Sequence, residues 1–371
     1  MSTLNPGRDP LLLSLASELA AQASPWAGAP LDRLKDKGLA HDHVRLGGTG
    51  LLARIPKQSQ MRLGAQDNLT YQSACFERAA QGGHAPRLHG VLSPCANLPR
   101  GALLVEEIVG RNATLPSDLG RMVRALASIH SLPLPEVVDR HPLINAPDPL
   151  KALLDEITDQ SQHVQVAGLD APVSAAITRE LSSLQSACGA SARPPRHLIA
   201  FDGHPGNFIV RDTARRTDNG PHDDGSQAVL VDLEKCRYSY PGLDLAHATL
   251  YTSTTWDMES HAVLSVGDVL GAYQTWSDSM TERVAMAALP WHVPLRRAMW
   301  LWSITWCAKW RVVSTTHSAA TPDGEDWSEQ RSGEALIRHV RGRVDHYLSP
   351  PVVAQVRDEF DQLDAALSCT A

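Results

Sequence analysis

HLIAFDGHPGNFIVRD (His197–Asp212) and, after a polar interruption, AVLVDLEKCRYSYPGLDLA (Ala228–Ala246) are the segments on which the reading of this chain turns. The apolar runs Phe208 to Val210 and Ala228 to Val231 predict two paired strands. Asp202 precedes the first strand, with Asn207 five residues on, and Asp232 ends the second. Phosphoryl transfer from ATP asks for this arrangement. A carboxylate must face the accepting hydroxyl, and oxygen ligands must hold the magnesium that bridges the phosphates. Asp202 is therefore the candidate catalytic group, and Asn207 and Asp232 are the candidate metal ligands.

Protein kinases write the same loop as His-Arg-Asp-x-x-x-x-Asn followed by Asp-Phe-Gly. Here the words are Asp202-Gly203-His204-Pro205-Gly206-Asn207 and Val231-Asp232-Leu233-Glu234, with a later Asp244-Leu245-Ala246. These resemble the aminoglycoside phosphotransferase and choline kinase superfamily, which carries D-x-H-x-x-N, a D-x-E/D segment and a "DLA"-like phrase. The resemblance covers most of the chain and is strongest from 197 to 246. It implies an α+β, protein-kinase-like, two-lobed fold, with a small antiparallel-sheet lobe over residues 1–108 and a larger helical lobe over 109–371. It also implies an ATP-dependent kinase of a small hydroxyl acceptor, using Mg2+. By the same resemblance His204 and Asp244 hold the loop's backbone, while Glu234 binds a second magnesium or the substrate. Ala200 departs from the family, which often has His two residues before the catalytic Asp, and Gly203 replaces the commoner Leu. A pseudokinase would be expected to lose Asp202 or Asp232, and both are kept.

Upstream, Pro10 to Gln22 predicts a helix closed by Pro25 and Pro30. Val44 to Leu46 and Leu51 to Ile55 flank Gly47-Gly48-Thr49-Gly50, a hairpin turn between strands of the first lobe. Lys35 to His43 then falls where a loop over the phosphates belongs, with Gly38 its one glycine. Arg54 is the candidate phosphate-gripping cation, since its fork can hold phosphate oxygens bidentately. Lys57 is the fallback. Glu77, the only acid of a helix over Leu69 to Ala80, is the expected partner of Arg54. Glu106 to Ile108, ending ALLVEEIVG, occupies the place where a kinase hinge offers backbone groups to adenine.

A helix capped by Ser117 is expected to run to Ser131, with His130 as a packed, hydrogen-bonded core residue. Two more helices fall within 148–190, and Arg211 to Gln227 reads as a solvated polar excursion. From Leu243 the chain reads as helical to its end, with a last long helix near Asp326 to Ala366. Trp302, Trp306 and Trp310 form one stripe, read as core, with an aromatic wall for a cationic or sugar-like acceptor as the alternative.

The 371 residues are 43% hydrophobic and 20% charged, as in an ordinary globular protein. A formal charge of -7 argues against nucleic-acid binding, which needs clustered Lys and Arg. Six cysteines without a Cys-x-x-Cys pair speak for a reducing compartment and against zinc or disulfide scaffolds. No window approaches a membrane span, and LLLSLASELAA, broken by Glu18, reads as an amphipathic helix and not a leader, so the cytoplasm is expected. The acceptor's identity and the choice of ATP over GTP are not written in one sequence. Two competing readings are a non-catalytic nucleotide-binding regulator and a protein kinase, whose His-Arg-Asp, Asp-Phe-Gly and Ala-Pro-Glu words are missing as such.

Overall fold

The computed structural model describes residues 9–35, 40–59, 61–212, 226–257, 260–314 and 334–368. The first lobe opens with helix α1 (Pro10–Ala21), started by Asp9, whose Oδ1 accepts from Leu11 N at 2.9 Å. Five strands follow: β1 (Leu31–Arg33), β2 (His41–Leu46), β3 (Leu51–Pro56) and, beyond helix α2 (Ala65–Ala79), β4 (Leu88–Leu92) and β5 (Ala102–Glu106). They form one antiparallel sheet in the order β1-β2-β3-β5-β4. Alternation along β3 decides its two faces. Leu51, Ala53 and Ile55 join Leu12, Leu15 and Leu19 of α1 in one buried cluster. Arg54 takes the opposite parity and faces the other way, into the molecule. Each buried leucine of α1 contributes about 1.5–3 kcal/mol. The Gly47–Gly50 stretch is the β2–β3 hairpin turn, with Gly48 and Gly50 at φ +75° and +71°. The expected loop over the phosphates is shorter than Lys35 to His43, because His41 already pairs with Pro56 in the sheet. Gly38 lies outside the described residues.

The second lobe supplies two small ladders and most of the helices. Strand β6 (Arg111–Asn112) precedes helices α3 (Leu119–His130), α4 (Pro149–Ser161) and α5 (Ala171–Gly189). Then come β7 (His197–Ile199), β8 (Phe208–Asp212), β9 (Ser226–Leu230) and β10 (Arg237–Ser239). The expected hairpin is present: Phe208 stands opposite Leu230 and Val210 opposite Ala228. β6 adds to its edge, while β7 pairs with β10. Residues 213–225, the core of the expected polar excursion, lie outside the described residues. The remaining helices are α6 (Pro241–Thr249), α7 (Tyr251–Thr254), α8 (Val266–Ser279), α9 (Glu282–Ala288), α10 (His292–Val313), α11 (Glu334–Tyr347) and α12 (Pro350–Ser368). α10 is central, packed by α4, α5, α6, α11 and α12. Its buried Arg296 ties it to α12 and α6, Nε donating to Glu359 at 2.7 Å and Nη1 to Thr249 Oγ1 at 2.7 Å. No described helix is long and apolar enough to cross a membrane.

Two helix boundaries differ from expectation. α3 is capped at Asp118, not Ser117, because the Asp118 carboxylate is already engaged by Thr114 N, Arg111 and Arg121 and fixes the entry to the helix. The last expected helix is two helices, broken where Pro350 and Pro351 remove backbone donors. Residues 326–333 of it lie outside the described residues.

His292, at the start of α10, is 1% exposed and stacks on Tyr273 at 4.3 Å, with neither ring nitrogen hydrogen-bonded. Burial pushes its imidazole down to about 4 from 6.5. The unfolded ring takes up a proton as pH falls through about 6.5 and the folded ring does not until about 4, so its contribution to stability drains away across that window. By pH 5 the loss is about 2 kcal/mol. His292→Phe keeps the stack and forfeits no hydrogen bond. It is expected to melt like wild type at pH 7.5 and several degrees higher at pH 5, as read by thermal unfolding across pH. An unchanged acid slope counts against this assignment.

Candidate active site

The loop that carries Asp202 is held from behind. Asp244, at the start of α6 and fully buried, accepts from Ala200 N and Phe201 N, both at 2.7 Å. Its Oδ2 also meets His130 Nε2 at 3.0 Å, and Trp276 Nε1 donates to His130 Nδ1 at 3.0 Å. Phe201, one residue before Asp202, sits at φ +59°, a left-handed conformation that costs a non-glycine residue of order 1 kcal/mol. The strain is held by the two Asp244 bonds and by packing of the ring edge-on to Trp302 at 5.4 Å, beneath the Arg237 guanidinium at 3.6 Å. Downstream, His204 Nδ1 accepts from Gly206 N at 3.2 Å, and Asn207 Nδ2 donates to Asp202 O at 2.8 Å. Gly206 is closely approached, since a Cβ there would meet Asp257 Oδ2 at 2.7 Å and the His204 ring at 2.9 Å, so a larger residue would displace both side chains.

Both oxygens of Asp202 have neighbours. Lys235 Nζ lies 2.8 Å from Oδ2, and His247 Nδ1 lies 3.8 Å from Oδ1. Burial would raise this carboxyl, but Lys235 foremost outweighs it and holds it below the ordinary aspartate range. His247 is itself pushed down to about 4, chiefly by burial, so it faces Asp202 as a neutral ring, its Nδ1 without a hydrogen bond. Beyond it stands Trp302, 6.4 Å away, whose Nε1 donates to Glu156 at 2.7 Å. Glu156 in turn pairs with Arg237 at 3.3 Å. The Trp stripe thus divides. Trp310 is core, half-buried Trp302 packs on Phe201 and His247 beside the catalytic loop, and half-buried Trp306 packs on Trp256 at 5.9 Å.

Arg54 crosses from the sheet to the hairpin. Nη1 donates to Val231 O at 3.0 Å and Nη2 to Asp232 Oδ1 at 2.8 Å. Burial works against the charged form of Asp232, and Arg54 more than offsets it, holding the carboxyl far below its usual range. Arg54 Nη2 also reaches His41 Nδ1 at 3.4 Å, His41 Nε2 reaches Gln72 Oε1 at 3.1 Å, and Gln72 Nε2 donates to Glu234 Oε2 at 3.3 Å. Since Arg54 can only donate, His41 carries its proton on Nε2. Burial, then Arg54, holds His41 neutral, and burial followed by Asp232 pushes Glu234 up to about 8. Their 3.6 Å approach is accordingly a contact between neutral groups at pH 7, not an ion pair.

This network corrects the expected Arg54–Glu77 pair. Phe76 lies under the Arg54 guanidinium at 5.4 Å, and Glu77, a helical step of about 100° further round α2, projects to solvent. The carboxylate on Arg54 is Asp232. Glu234, buried, meets α2 through Gln72. Glu106 ends β5 and pairs with Arg211 at 3.2 Å, and half-buried Ile108 follows it. Lys235 and His247 were missed in the sequence, although Lys235 was legible as a lone cation beside Asp-x-Glu. His41 and Gln72 carried no such signal.

Among the described residues no three His, Cys, Asp or Glu side chains form a metal cage. A kinase magnesium needs less from the protein, because phosphate oxygens complete its shell. Asn207 and Asp232 offer hard oxygens, and Arg54 keeps a buried Nε without a partner, so the residues present fit a magnesium-bound nucleotide.

The sequence profile of the phosphotransferase enzyme family matches residues 38–277. The chain belongs to that family. It is a phosphotransferase that acts on an alcohol group. Solved structures share its fold. A choline/ethanolamine kinase family protein from Mesorhizobium loti is 17% identical with TM-score 0.57, covering 96% of this chain and 99% of that one. An ethanolamine kinase from Plasmodium vivax is 11% identical with TM-score 0.59, covering 94% and 89%. The GDP complex of an aminoglycoside 2'-phosphotransferase of type IIIa is 14% identical with TM-score 0.53, covering 96% and 99%. At these identities the likeness is one of fold. No curated protein sequence matches the phosphotransferase described here.

Proposed function

We propose that this phosphotransferase moves the γ-phosphoryl group of ATP, or another nucleoside triphosphate, to a hydroxyl of a small molecule. The acceptor is an aminoglycoside-like antibiotic, an amino alcohol or a sugar-like metabolite. One observation carries the reading: Asp202 and Asp232 flank the open end of one hairpin, where Phe208 stands opposite Leu230, and each meets a cation at 2.8 Å, Lys235 and Arg54 respectively. In it Asp202 orients the hydroxyl and takes its proton, Asn207 and Asp232 hold Mg2+, and Arg54 grips phosphate oxygens. Residues 1–108 hold the nucleotide with Glu106 to Ile108 as hinge, and 109–371 carry the catalytic loop and the acceptor wall. His204 and Asp244 keep the loop's shape. Magnesium, when bound, supplies charge neutralisation at the phosphates.

The neighbours act on choline, ethanolamine or aminoglycosides by their names, and Trp302 and Asp257 near the loop suit an amine-bearing acceptor. The regulator reading is disfavoured because Asp202, Asn207 and Asp232 all survive. A cytoplasmic place rests on the sequence alone, whose six cysteines include no Cys-x-x-Cys pair. The test is a coupled ADP-release screen over hydroxyl-bearing metabolites and aminoglycosides, with Asp202→Asn as control. Release that requires a small acceptor and vanishes in the control supports the reading. Phosphorylation of peptides without any small acceptor overturns it.

A further inference from the structure

We infer that Lys235 is a catalytic residue of this site, a cation that touches the phosphoryl group in transit and stands between it and Asp202. The inference rests on the phosphotransfer reading above. Lys235 follows the Asp232-Leu233-Glu234 segment directly, its side chain is 15% exposed, and its Nζ lies 2.8 Å from Asp202 Oδ2. No other Lys or Arg among the described residues pairs with Asp202.

The charge balance says why a mere counter-ion does not account for it. Asp202 Oδ2 meets Lys235 Nζ at 2.8 Å, and Asp232 Oδ1 meets Arg54 Nη2 at 2.8 Å. Each carboxyl thus already has one cation beside it before any substrate enters. A nucleoside triphosphate brings further negative charge that must be met. Arg54 is committed to the Asp232 side through Val231 O and Asp232 Oδ1. Lys235 is the cation on the Asp202 side, where the accepting hydroxyl must stand, and transfer in line places the moving group there. A carboxylate held permanently by a lysine is also a poor base, because the ion pair favours its charged form.

Sharing Lys235 resolves both difficulties. The acceptor oxygen forms its bond to the γ-phosphorus as the bond to the β–γ bridging oxygen breaks, the electron pair leaving with the nucleoside diphosphate. The hydroxyl proton passes to Asp202. As Asp202 loses its charge, the pull on Lys235 shifts wholly to the phosphoryl oxygens, whose charge is developing at that moment. The ammonium stays near one place while its partner changes.

Binding separates this role from a structural one without knowledge of the acceptor. The probes are MgADP and the magnesium complex of β,γ-imido-ATP, with the guanosine pair run alongside, titrated calorimetrically into wild type, Lys235→Met and Lys235→Arg. Lys235→Met is expected to bind the diphosphate as wild type does and the imido-triphosphate about tenfold more weakly. Lys235→Arg should keep most of that preference. With an acceptor in hand, kcat of Lys235→Met is expected to fall about 10²-fold or more with KM for the acceptor little changed. An equal change for both nucleotides, or none for either, overturns the inference and leaves Lys235 a counter-ion. A wild type that binds neither pair overturns the phosphotransfer reading itself. Thermal melting of both variants within a few degrees of wild type confirms that folding is not what was measured.

Discussion

Asp202→Asn is expected to lower kcat about 10³-fold while MgADP affinity stays within about twofold of wild type. The side chain keeps its size and both heavy atoms, so Asn207 Nδ2 still finds Asp202 O and the loop keeps its shape. What it loses is a proton acceptor, since an amide oxygen at neutral pH cannot take the hydroxyl proton as the new O–P bond forms. Because transfer to phosphorus runs through a loose transition state, part of the loss is orientation: the amide offers one acceptor where the carboxylate offered two. Lys235 holds the wild-type carboxyl below the ordinary aspartate range, so no acid limb from this group is expected above about pH 5 in the wild-type rate. The measurement is steady-state ADP release with the acceptor from the screen, beside calorimetric MgADP binding. Full activity in the variant would place the base elsewhere. Loss of nucleotide binding in step with activity would make Asp202 a structural group and remove it from the chemistry.

The parts of this molecule that the sequence disclosed are those whose signal is local. The hairpin from Phe208 to Leu230 follows from two apolar runs, and α1 from an amphipathic run closed by Pro25 and Pro30. Asp202, Asn207 and Asp232 were legible because fixed spacing around a turn constrains where backbone can put them. Contacts across the fold were not. Nothing in the chemistry of Glu77 says that it points to solvent; that depends on Phe76 taking the place beneath Arg54, a matter of helix rotation set by the whole core. Gln72 and His41 link Arg54 to Glu234 as neutral groups, which no rule of charge pairing would select. The end of the chain misled for a similar reason. Periodic apolar residues run through both α11 and α12, and only the proline pair at 350 and 351 marks the break.

The second large effect is expected at Asp244, where stability and activity should fall together. Trp276 Nε1 is only a donor, so His130 Nδ1 must present a lone pair and His130 Nε2 must carry the proton. Asp244 therefore receives three N–H groups, from His130, Ala200 and Phe201, in a place with no access to water. Asparagine offers one acceptor oxygen and two hydrogens of its own. If its oxygen serves Phe201, its amide faces the N–H groups of Ala200 and His130, and the histidine cannot change tautomer without losing Trp276. Asp244→Asn is accordingly expected to cost about 3–5 kcal/mol, nearly as much as Asp244→Ala, read as a lowered urea midpoint. Activity measured well below the melting transition should fall too, because Phe201 stays at positive φ only while Asp244 holds its N–H, and a relaxed Phe201 moves Asp202. In a cycle with His130→Ala the two losses should fall short of additive by more than about 1 kcal/mol. An Asp244→Asn protein as stable and active as wild type would mean that the loop is held by something other than this carboxylate.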